Sequence, residues 1–325
     1  MTAPTLPLAY RYVYLAAAYA RFLLHGKCPS WPLRIHVQTH SYCNAACATC
    51  PYPETSKNLV HGEMSWEVFD KLVKELRQSN RPSVVLFDLQ HEPLLNPELF
   101  SWIRHLKRMA PLTRPSIITN GSLLDRFDPA EIVDSGVDRI SVSLNAHSEE
   151  TYARLGTGLD FASVKASVIS LSRYEDVRRR LLVSFVASDV NKHEIGKAVA
   201  YWNEMSVATQ VKPLTNRAGT LGSYDSFFAE DAMAPWQGNR LGSMLRRVSR
   251  RAVGCPLPFH QTAILFTGDV LLCCQDWQHD PIVGNVANDT LRNVWNSDCL
   301  SELRSSILAR RYDRIAACTD CSLAT

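Results

Sequence analysis

The chain has 325 residues, 46% of them apolar, and a formal net charge of +3. A chain of this length can bury a core large enough for one barrel-like domain and a small second unit. Its basic runs at 178–180 and 246–251 lie in stretches of helical pattern without aromatic or glycine-rich residues, which indicates solvated helix faces. We therefore expect a folded protein with no nucleic-acid partner.

The first 33 residues predict a helical extension. Residues 6–24 are mostly apolar, but Arg11 and Arg21 interrupt them and no small-residue cleavage site follows. No segment offers the ~18 uninterrupted apolar residues that a membrane span requires. We expect a cytoplasmic protein that does not enter a membrane.

Residues 34–213 alternate short β-rich runs with segments of helical period. The predicted strands are Arg34–Thr39, Val84–Leu89, Ser116–Thr119, Arg139–Leu144, Leu182–Ala187 and Thr209–Lys212. The predicted helices are Trp66–Arg77, Leu99–Arg108, Pro129–Asp134, Glu149–Leu155, Phe161–Ser172 and Lys192–Met205. Six strands, each followed by a helix or connection, predict a parallel βα array that is open or closed as a barrel.

The rest of the chain predicts a linker and a second unit. Glycines and a proline break the rhythm over residues 214–254, which we interpret as the linker. Residues 255–325 form the second unit. Its centre, Ala263–Leu272, predicts a hairpin with its turn at Thr267, Gly268 and Asp269.

Ten cysteines in a chain without a secretion signal favour metal ligation over disulfides. Cys43, Cys47 and Cys50 follow the first predicted strand. Three thiolates so close together can hold three irons of a cubane cluster and leave the fourth open to a cofactor with an amino and a carboxylate group. A structural zinc site with His40 as fourth ligand is the alternative, although zinc sites usually present paired cysteine knuckles.

The spacing of Cys43, Cys47 and Cys50 resembles the signature of the radical S-adenosylmethionine (radical SAM) enzymes. The resemblance implies a catalytic [4Fe–4S] cluster with an open iron for S-adenosyl-L-methionine, carried by a partial (β/α)6 TIM-like barrel of the α/β class over residues 34–213. The segment 90–93 resembles the family's Gly-Gly-Glu-Pro segment, with both glycines replaced. By this resemblance, the residues that bind the cofactor are Gln90, His91, Glu92, Asn120, Ser143 and Arg154.

The second unit has its own set of cysteines, Cys255, Cys273, Cys318 and Cys321. With the glycine turn of the hairpin, they resemble the SPASM/twitch extension of radical SAM enzymes. That resemblance implies a small C-terminal α+β iron–sulfur domain that holds a second, auxiliary [4Fe–4S] cluster. Cys274 is the alternative to Cys273, but it would point to the opposite side if the hairpin strand continues.

Polar side chains line one face of several predicted strands. His36 shares a face with Gln38, Asp88 shares one with Gln90, and Ser141 shares one with Ser143. Because buried donors need partners, such faces suit a hydroxyl-rich or amine-rich small-molecule substrate. His36 or Asp88 is the candidate base for a hydroxyl proton.

The resemblance extends to radical SAM dehydrogenases and epimerases that modify aminoglycosides. It implies a 5′-deoxyadenosyl radical that abstracts hydrogen from an aminocyclitol or sugar-like substrate, giving dehydrogenation or epimerisation in natural-product biosynthesis. The electron donor would be a protein such as flavodoxin or ferredoxin. Two alternatives stay open: a radical SAM maturase that modifies a peptide or protein side chain, and a non-catalytic zinc-binding module. The short segment before the first strand leaves no room for a peptide-recognition domain, which favours a small substrate.

Overall fold

The computed structural model of the chain describes residues 8–236 and 254–324. Within these residues, nine strands form one sheet in the order β6-β5-β4-β3-β2-β1-β7-β8-β9. The strands are β1 Arg34–Val37, β2 Ser83–Phe87, β3 Thr113–Thr119, β4 Arg139–Ser143, β5 Leu181–Ala187, β6 Ala208–Pro213, β7 Gln261–Ile264, β8 Asp269–Leu271 and β9 Ile282–Asn285. Strands β1 to β6 pair in parallel in sequence order, which confirms the predicted α/β fold.

Helices connect the strands and cover the outside of the sheet. The α-helices are α1 Leu8–His25, α2 Tyr52–Thr55, α3 Trp66–Ser79, α4 Leu99–Met109, α5 Pro129–Asp134, α6 Glu149–Arg154, α7 Phe161–Ser172, α8 Glu175–Arg178, α9 Ile195–Glu204, α10 Tyr224–Phe227, α11 Leu291–Trp295, α12 Asp298–Leu308 and α13 Ala316–Thr319. Short 3-10 helices lie at Ser56–Asn58, Pro93–Leu95, Leu124–Arg126, Glu230–Trp236, Leu257–Phe259 and Tyr312–Arg314. Among the described helices, none is long and apolar enough to cross a membrane.

Side-chain caps explain where several helices begin. The side chains of Ser65, Asp128 and Asp160 accept hydrogen bonds from the first turns of α3, α5 and α7. Helix α9 begins at Ile195, three residues later than predicted, because Asn191 and Glu194 bind the loop after β4.

In β1 and β6, strand alternation sends apolar side chains outward to the helices and polar ones inward. In β1, Ile35 and Val37 join the main apolar core, whereas His36 lies outside it and points to the other face. In β6, Val211 packs against the outer core, so Lys212 points inward. The inner face of the sheet therefore carries polar side chains from β1 and β6.

The sheet curves so that its distant strands face one another. Lys212 on β6 lies near enough to Asp88, just after β2, and to Arg34 on β1 for their charges to change its pKa. These strands are far apart in the sheet order. The described part of the chain therefore has the partial-barrel form expected from the sequence, and its concave inner face is called the lumen below.

The C-terminal residues continue this sheet. Strand β7 pairs in parallel with β1, with Arg34 opposite Gln261, and β8 and β9 follow antiparallel. Tyr19 and Phe22 of α1 pack on Phe259 just before β7. The predicted linker includes residues 237–253, which lie outside the described residues, so the division into domains stays a prediction.

Candidate active site

The loop after β1, residues 38–51, carries Cys43, Cys47 and Cys50 and is called the cluster loop. Tyr52 closes its base, because its hydroxyl donates to the carbonyl of Ser41 at 2.8 Å and accepts from the amide of Cys43 at 2.9 Å. A ring hydroxyl that bridges two backbone groups fixes the direction in which the loop leaves the strand. The cysteines therefore begin from a fixed point at the rim of the barrel.

The far side of the cluster loop is tied to two other segments. The amides of Ala46 and Ala48 donate to the carbonyls of Thr157 and Leu155, both at 2.9 Å. The hydroxyl of Ser223 donates to the carbonyl of Ala48 at 2.5 Å. The loop is thus held by backbone hydrogen bonds to the connection after α6 and by a side-chain hydroxyl from the segment after β6.

The structure brings the three thiols of the cluster loop together. Burial raises the pKa of Cys43 and of Cys47 to about 12, and the thiol of Cys50 adds to both shifts. Burial raises the pKa of Cys50 as well, and the guanidinium of Arg217 opposes the shift. Thiols in this environment become thiolates when they bind a metal, which makes the group suitable for an iron–sulfur cluster.

A site for a single metal ion needs a different arrangement of ligands from that of an iron–sulfur cluster. Within residues 8–236 and 254–324, no three His, Cys, Asp or Glu side chains surround one point closely enough to hold one metal ion. A cubane cluster does not need that geometry, because each thiolate binds a different iron. His40, the predicted fourth zinc ligand, instead accepts from the amide of Tyr42 through Nδ1 at 3.1 Å. Burial lowers the pKa of His40 to about 4.

Glu92 joins three loops at the rim. Its carboxylate accepts from the hydroxyl of Thr119 at 2.6 Å, the amide of Asn120 at 2.7 Å and the amide of Leu94 at 3.1 Å. Its own amide donates to the carbonyl of Tyr42 in the cluster loop at 2.9 Å. Burial raises the pKa of Glu92, and these hydrogen bonds oppose the shift. Glu92 therefore fixes the ends of β2 and β3 against the cluster loop.

Gln90 connects the barrel to the C-terminal unit. Its side-chain amide donates to the carbonyl of Asp276 at 3.0 Å, and its side-chain oxygen accepts from His279 at 2.9 Å. His91 is buried beside the β1 end, where Nε2 accepts from the amide of Thr39 at 3.4 Å. Burial holds the pKa of His91 well below its usual value, so the ring is neutral. Both side chains serve contacts within the protein.

Three further predicted cofactor residues lie at or near the rim. The side-chain amide of Asn120 donates to Asn44 of the cluster loop at 2.8 Å. Ser143 is half-buried at the end of β4, with its hydroxyl 3.5 Å from that of Ser184. Arg154 ends α6 and is exposed. The structure thus brings Asn120 to the cluster loop, whereas the roles of Ser143 and Arg154 stay predictions.

His36 and Asp88 form a pair inside the lumen, as their strand positions predict. Nδ1 of His36 donates to the two carboxylate oxygens of Asp88 at 2.8 and 2.9 Å. Burial alone would lower the pKa of His36, but the charge of Asp88 and the nearby Cys274 outweigh it and raise the pKa to about 10. His36 is therefore a cation at neutral pH.

The other four predicted ligands, Cys255, Cys273, Cys318 and Cys321, form the four-cysteine group. All four are buried. Burial raises the pKa of Cys318 to about 12, and the thiols of Cys255 and Cys321 add to the shift. Cys255 also raises the pKa of Cys273. Four thiolates can bind all four irons of a [4Fe–4S] cluster and leave no iron open. The four-cysteine group therefore suits a second, closed cluster.

Cys274 contacts both Cys273 and the luminal face. A hydrogen bond with the thiol of Cys273 lowers the pKa of Cys274, and His36 adds to the shift. The sulfur of Cys274 also accepts from the side-chain amide of Gln261 at 3.1 Å, and Gln261 is opposite Arg34 in the sheet, on the luminal face. Cys273, on which the thiol of Cys255 acts, stays the predicted ligand of the pair.

One segment spans the distance between the two cysteine groups. Asn216 accepts from the amide of Ser322 at 2.9 Å and donates to the carbonyl of Asp320 at 2.5 Å, next to Cys321. The same segment reaches the cluster loop through Ser223. Its turn needs left-handed backbone, with φ of 81° at Gly219. Residues 214–223, called the bridging segment below, were predicted only as linker.

Sequence reasoning missed several luminal and loop residues. Lys212 and Arg217 bring positive charge to the lumen, and Tyr52 and Asn44 hold the cluster loop. The alternation of β6 could have indicated Lys212, since Val211 beside it is apolar. The contacts of Arg217 with Cys50 and of Asn44 with Asn120 join segments far apart in the chain, and no local pattern predicts them.

Comparison with known proteins agrees with this geometry. The profile of the radical SAM superfamily matches residues 37–195, and that of an iron–sulfur cluster-binding domain, SPASM, matches residues 255–322. The S-adenosyl-L-methionine-dependent 2-deoxy-scyllo-inosamine dehydrogenase of Niallia circulans is 20% identical over 288 residues, which are 89% of this chain and 92% of that enzyme. A probable GTP 3′,8-cyclase of Methanococcus maripaludis is 27% identical over 170 residues, 52% of this chain and 54% of that protein.

Solved structures share the fold. The crystal structure of BtrN in complex with AdoMet and 2-DOIA has a TM-score of 0.59 at 18% identity, and the match covers 90% of this chain and 93% of that one. SuiB of Streptococcus suis bound to the precursor peptide SuiA has a TM-score of 0.62 at 17% identity, covering 98% of this chain and 77% of that one.

The family matches overturn the alternative of a non-catalytic zinc-binding module, because they assign the cysteines to iron–sulfur domains. A radical SAM domain implies a [4Fe–4S] cluster and S-adenosyl-L-methionine, and a SPASM domain implies auxiliary iron–sulfur binding. The cluster loop and the four-cysteine group fit these cofactors. The chain is a radical SAM enzyme with a C-terminal SPASM iron–sulfur domain.

Proposed function

We propose that the enzyme oxidises or epimerises a carbinol carbon of a small hydroxyl-rich molecule of the aminocyclitol or sugar class. The observation that carries the proposal is the pair of His36 and Asp88, which presents polar groups inside the barrel below the cluster loop. The likeness to the inosamine dehydrogenase, which extends over nearly the whole of both chains, supports a substrate of this kind.

The pair can handle a hydroxyl group. Asp88 fixes the ring of His36 through Nδ1, and the thiol of Cys274 also acts on the ring, whereas Nε2 has no nitrogen or oxygen partner among the described residues. As a cation, His36 donates from Nε2 to one oxygen of the substrate and holds it in place. Asp88 is the proton acceptor for a neighbouring hydroxyl group, which binds the carboxylate lone pairs that Nδ1 leaves free.

The cofactors supply the steps that side chains cannot perform. When bound, the open-iron cluster and S-adenosyl-L-methionine supply a radical that removes one hydrogen atom from carbon, and the four-thiolate cluster supplies an acceptor for one electron. The substrate thus loses one hydrogen atom to the radical, one electron to the second cluster and one proton to Asp88. These three losses together convert an alcohol into a ketone. The chain's own task is to orient the carbinol and keep water out.

Deuterium labelling tests the proposal. Reconstituted, oxygen-free enzyme is given sugars and aminocyclitols that carry deuterium at the carbinol carbons, and we expect deuterium in 5′-deoxyadenosine together with a ketone or an epimer. Asp88→Asn should lower product formation by about 10²- to 10⁴-fold, the usual contribution of a general base.

Asp70→Asn is the matched control for the Asp88 variant. Asp70 forms a similar pair with His105, at 2.7 Å, between α3 and α4 and away from the lumen. This variant should keep full activity. If no carbinol deuterium reaches 5′-deoxyadenosine while a peptide substrate does transfer its label, the enzyme is a peptide maturase, the alternative for which SuiB and its precursor peptide give a structural precedent.

A further inference from the structure

The lumen carries an excess of positive charge beside the proposed reaction centre. Lys212 points inward from β6, and Arg217 lies close enough to act on both Lys212 and Cys50. Arg34 and Arg139 add their charges from β1 and β4. Burial lowers the pKa of Lys212 to about 8, and these three guanidinium groups add to the shift.

The protein itself offers little to balance the charges of Lys212 and Arg217, because the acidic groups nearby, Asp88 and Cys274, both act on His36. Asp88 is the carboxylate that acts on Lys212, but both of its oxygens already accept from the cationic His36. Within residues 8–236 and 254–324, neither Lys212 nor Arg217 forms an ion pair or a side-chain hydrogen bond. Like charges held together away from water are unfavourable unless an anion joins them.

Buried donors without partners point to the same kind of ligand. Ser141, 4% exposed, faces the lumen from β4, and its hydroxyl has no partner among the described residues. Nε2 of His36, 5% exposed, has no nitrogen or oxygen partner among these residues, with the thiol of Cys274 acting on the ring, and Nε of Arg217 is also buried without a partner. All three atoms can donate, so the complementary ligand is rich in acceptor oxygens.

We propose that the substrate carries an anionic group, a phosphate or a carboxylate, which Lys212 and Arg217 bind inside the barrel. This inference rests on the proposed function and narrows its substrate class to hydroxyl-rich molecules that bear an acid group. A simple polyamine is disfavoured, because its ammonium groups would add to the positive charge of the lumen.

Four hexoses of similar size test the proposal: glucose 6-phosphate, glucuronate, glucose and glucosamine. Their binding to the reconstituted enzyme loaded with S-adenosyl-L-methionine is measured by calorimetry without a reductant. We expect at least one of the two anions to bind about tenfold or more tightly than glucose and glucosamine, which is the effect of a charged hydrogen bond. Comparison of glucose 6-phosphate with glucuronate shows whether a phosphate or a carboxylate fits the site.

Variants at Lys212 test whether the preference for anionic hexoses arises in the lumen. Lys212→Gln should abolish the preference for the anion and Lys212→Arg should keep it, with iron content and circular dichroism showing that both variants fold. The control is Lys197→Gln, which removes an exposed lysine from α9 and should change nothing. The proposal is overturned if glucose or glucosamine binds as tightly as both anions, if no anion binds at millimolar concentration, or if the preference survives Lys212→Gln.

The affinity for S-adenosyl-L-methionine tests a rival explanation, in which Lys212 and Arg217 bind the methionine carboxylate of the cofactor. If Lys212→Gln and Arg217→Gln weaken the binding of S-adenosyl-L-methionine and leave the preference among hexoses intact, the two cations serve the methionine carboxylate and the proposal fails. The proposed function has a separate readout, the transfer of deuterium to 5′-deoxyadenosine under reducing conditions. Anion binding without deuterium transfer would therefore refute the proposed reaction alone.

Discussion

Replacing Glu92 by Gln tests whether one carboxylate holds the rim of the barrel together. The glutamine oxygen can keep the bonds to Thr119 and Leu94, both of which reach the same carboxylate oxygen in the structure. The amide nitrogen then takes the place of the oxygen that accepts from Asn120 at 2.7 Å. Two donors face each other there, and the amide of Asn120 loses its acceptor.

A buried donor left without a partner costs about 1–3 kcal/mol. We therefore expect the amide of Asn120 to exchange its hydrogen about 5- to 150-fold faster in Glu92→Gln than in the unchanged enzyme. Hydrogen exchange followed by mass spectrometry of the peptide around residue 120 measures this. The control, Glu98→Gln, alters an exposed glutamate without a side-chain bond to its helix. Equal exchange rates in Glu92→Gln and the control would refute the proposed bracing role.

Three further predictions follow from the same structure. Sulfate affinity should be full below the pKa of Lys212, about 8, and fall as the pH rises through it, whereas calorimetry of Lys212→Arg should show no such fall. Replacing the three cysteines of the cluster loop by alanine should reduce iron from about eight to about four per chain and abolish 5′-deoxyadenosine, since one of two [4Fe–4S] clusters is lost; an unchanged iron content would contradict the assignment. Gly219→Ala should lower the melting temperature, because a Cβ at φ 81° would lie 2.8 Å from that of Asp320, whereas Gly222→Ala, with open space around it, should not.

The sequence predicted the six barrel strands because their alternation is local. Each inner or outer position follows from the residues beside it, and this also placed His36 and Asp88 each on a polar strand face. The spacing of Cys43, Cys47 and Cys50 was equally informative, since all three lie in one loop. The preference for Cys273 over Cys274 followed the same rule of alternation and stays a prediction.

What the sequence did not predict depends on contacts between distant segments. Glu92 stays a predicted cofactor residue, but the sequence did not indicate that its carboxylate accepts bonds from the loops after β2 and β3. The bridging segment looked like an ordinary linker, because its bonds to Ala48 and Asp320 cross long stretches of chain. The charge of the lumen emerges only when the sheet curves and brings β6 opposite β1 and β2.

The pairing of β7 with β1 has a consequence for attempts to dissect the enzyme. The amides of Arg34 and Gln38 donate to the carbonyls of His260 and Ile264. A truncated chain that stopped before residue 255 would lose these acceptors and expose the backbone of β1 as an open sheet edge. Such an edge recruits strands from other molecules, so the isolated barrel would aggregate instead of behaving as an independent catalytic module.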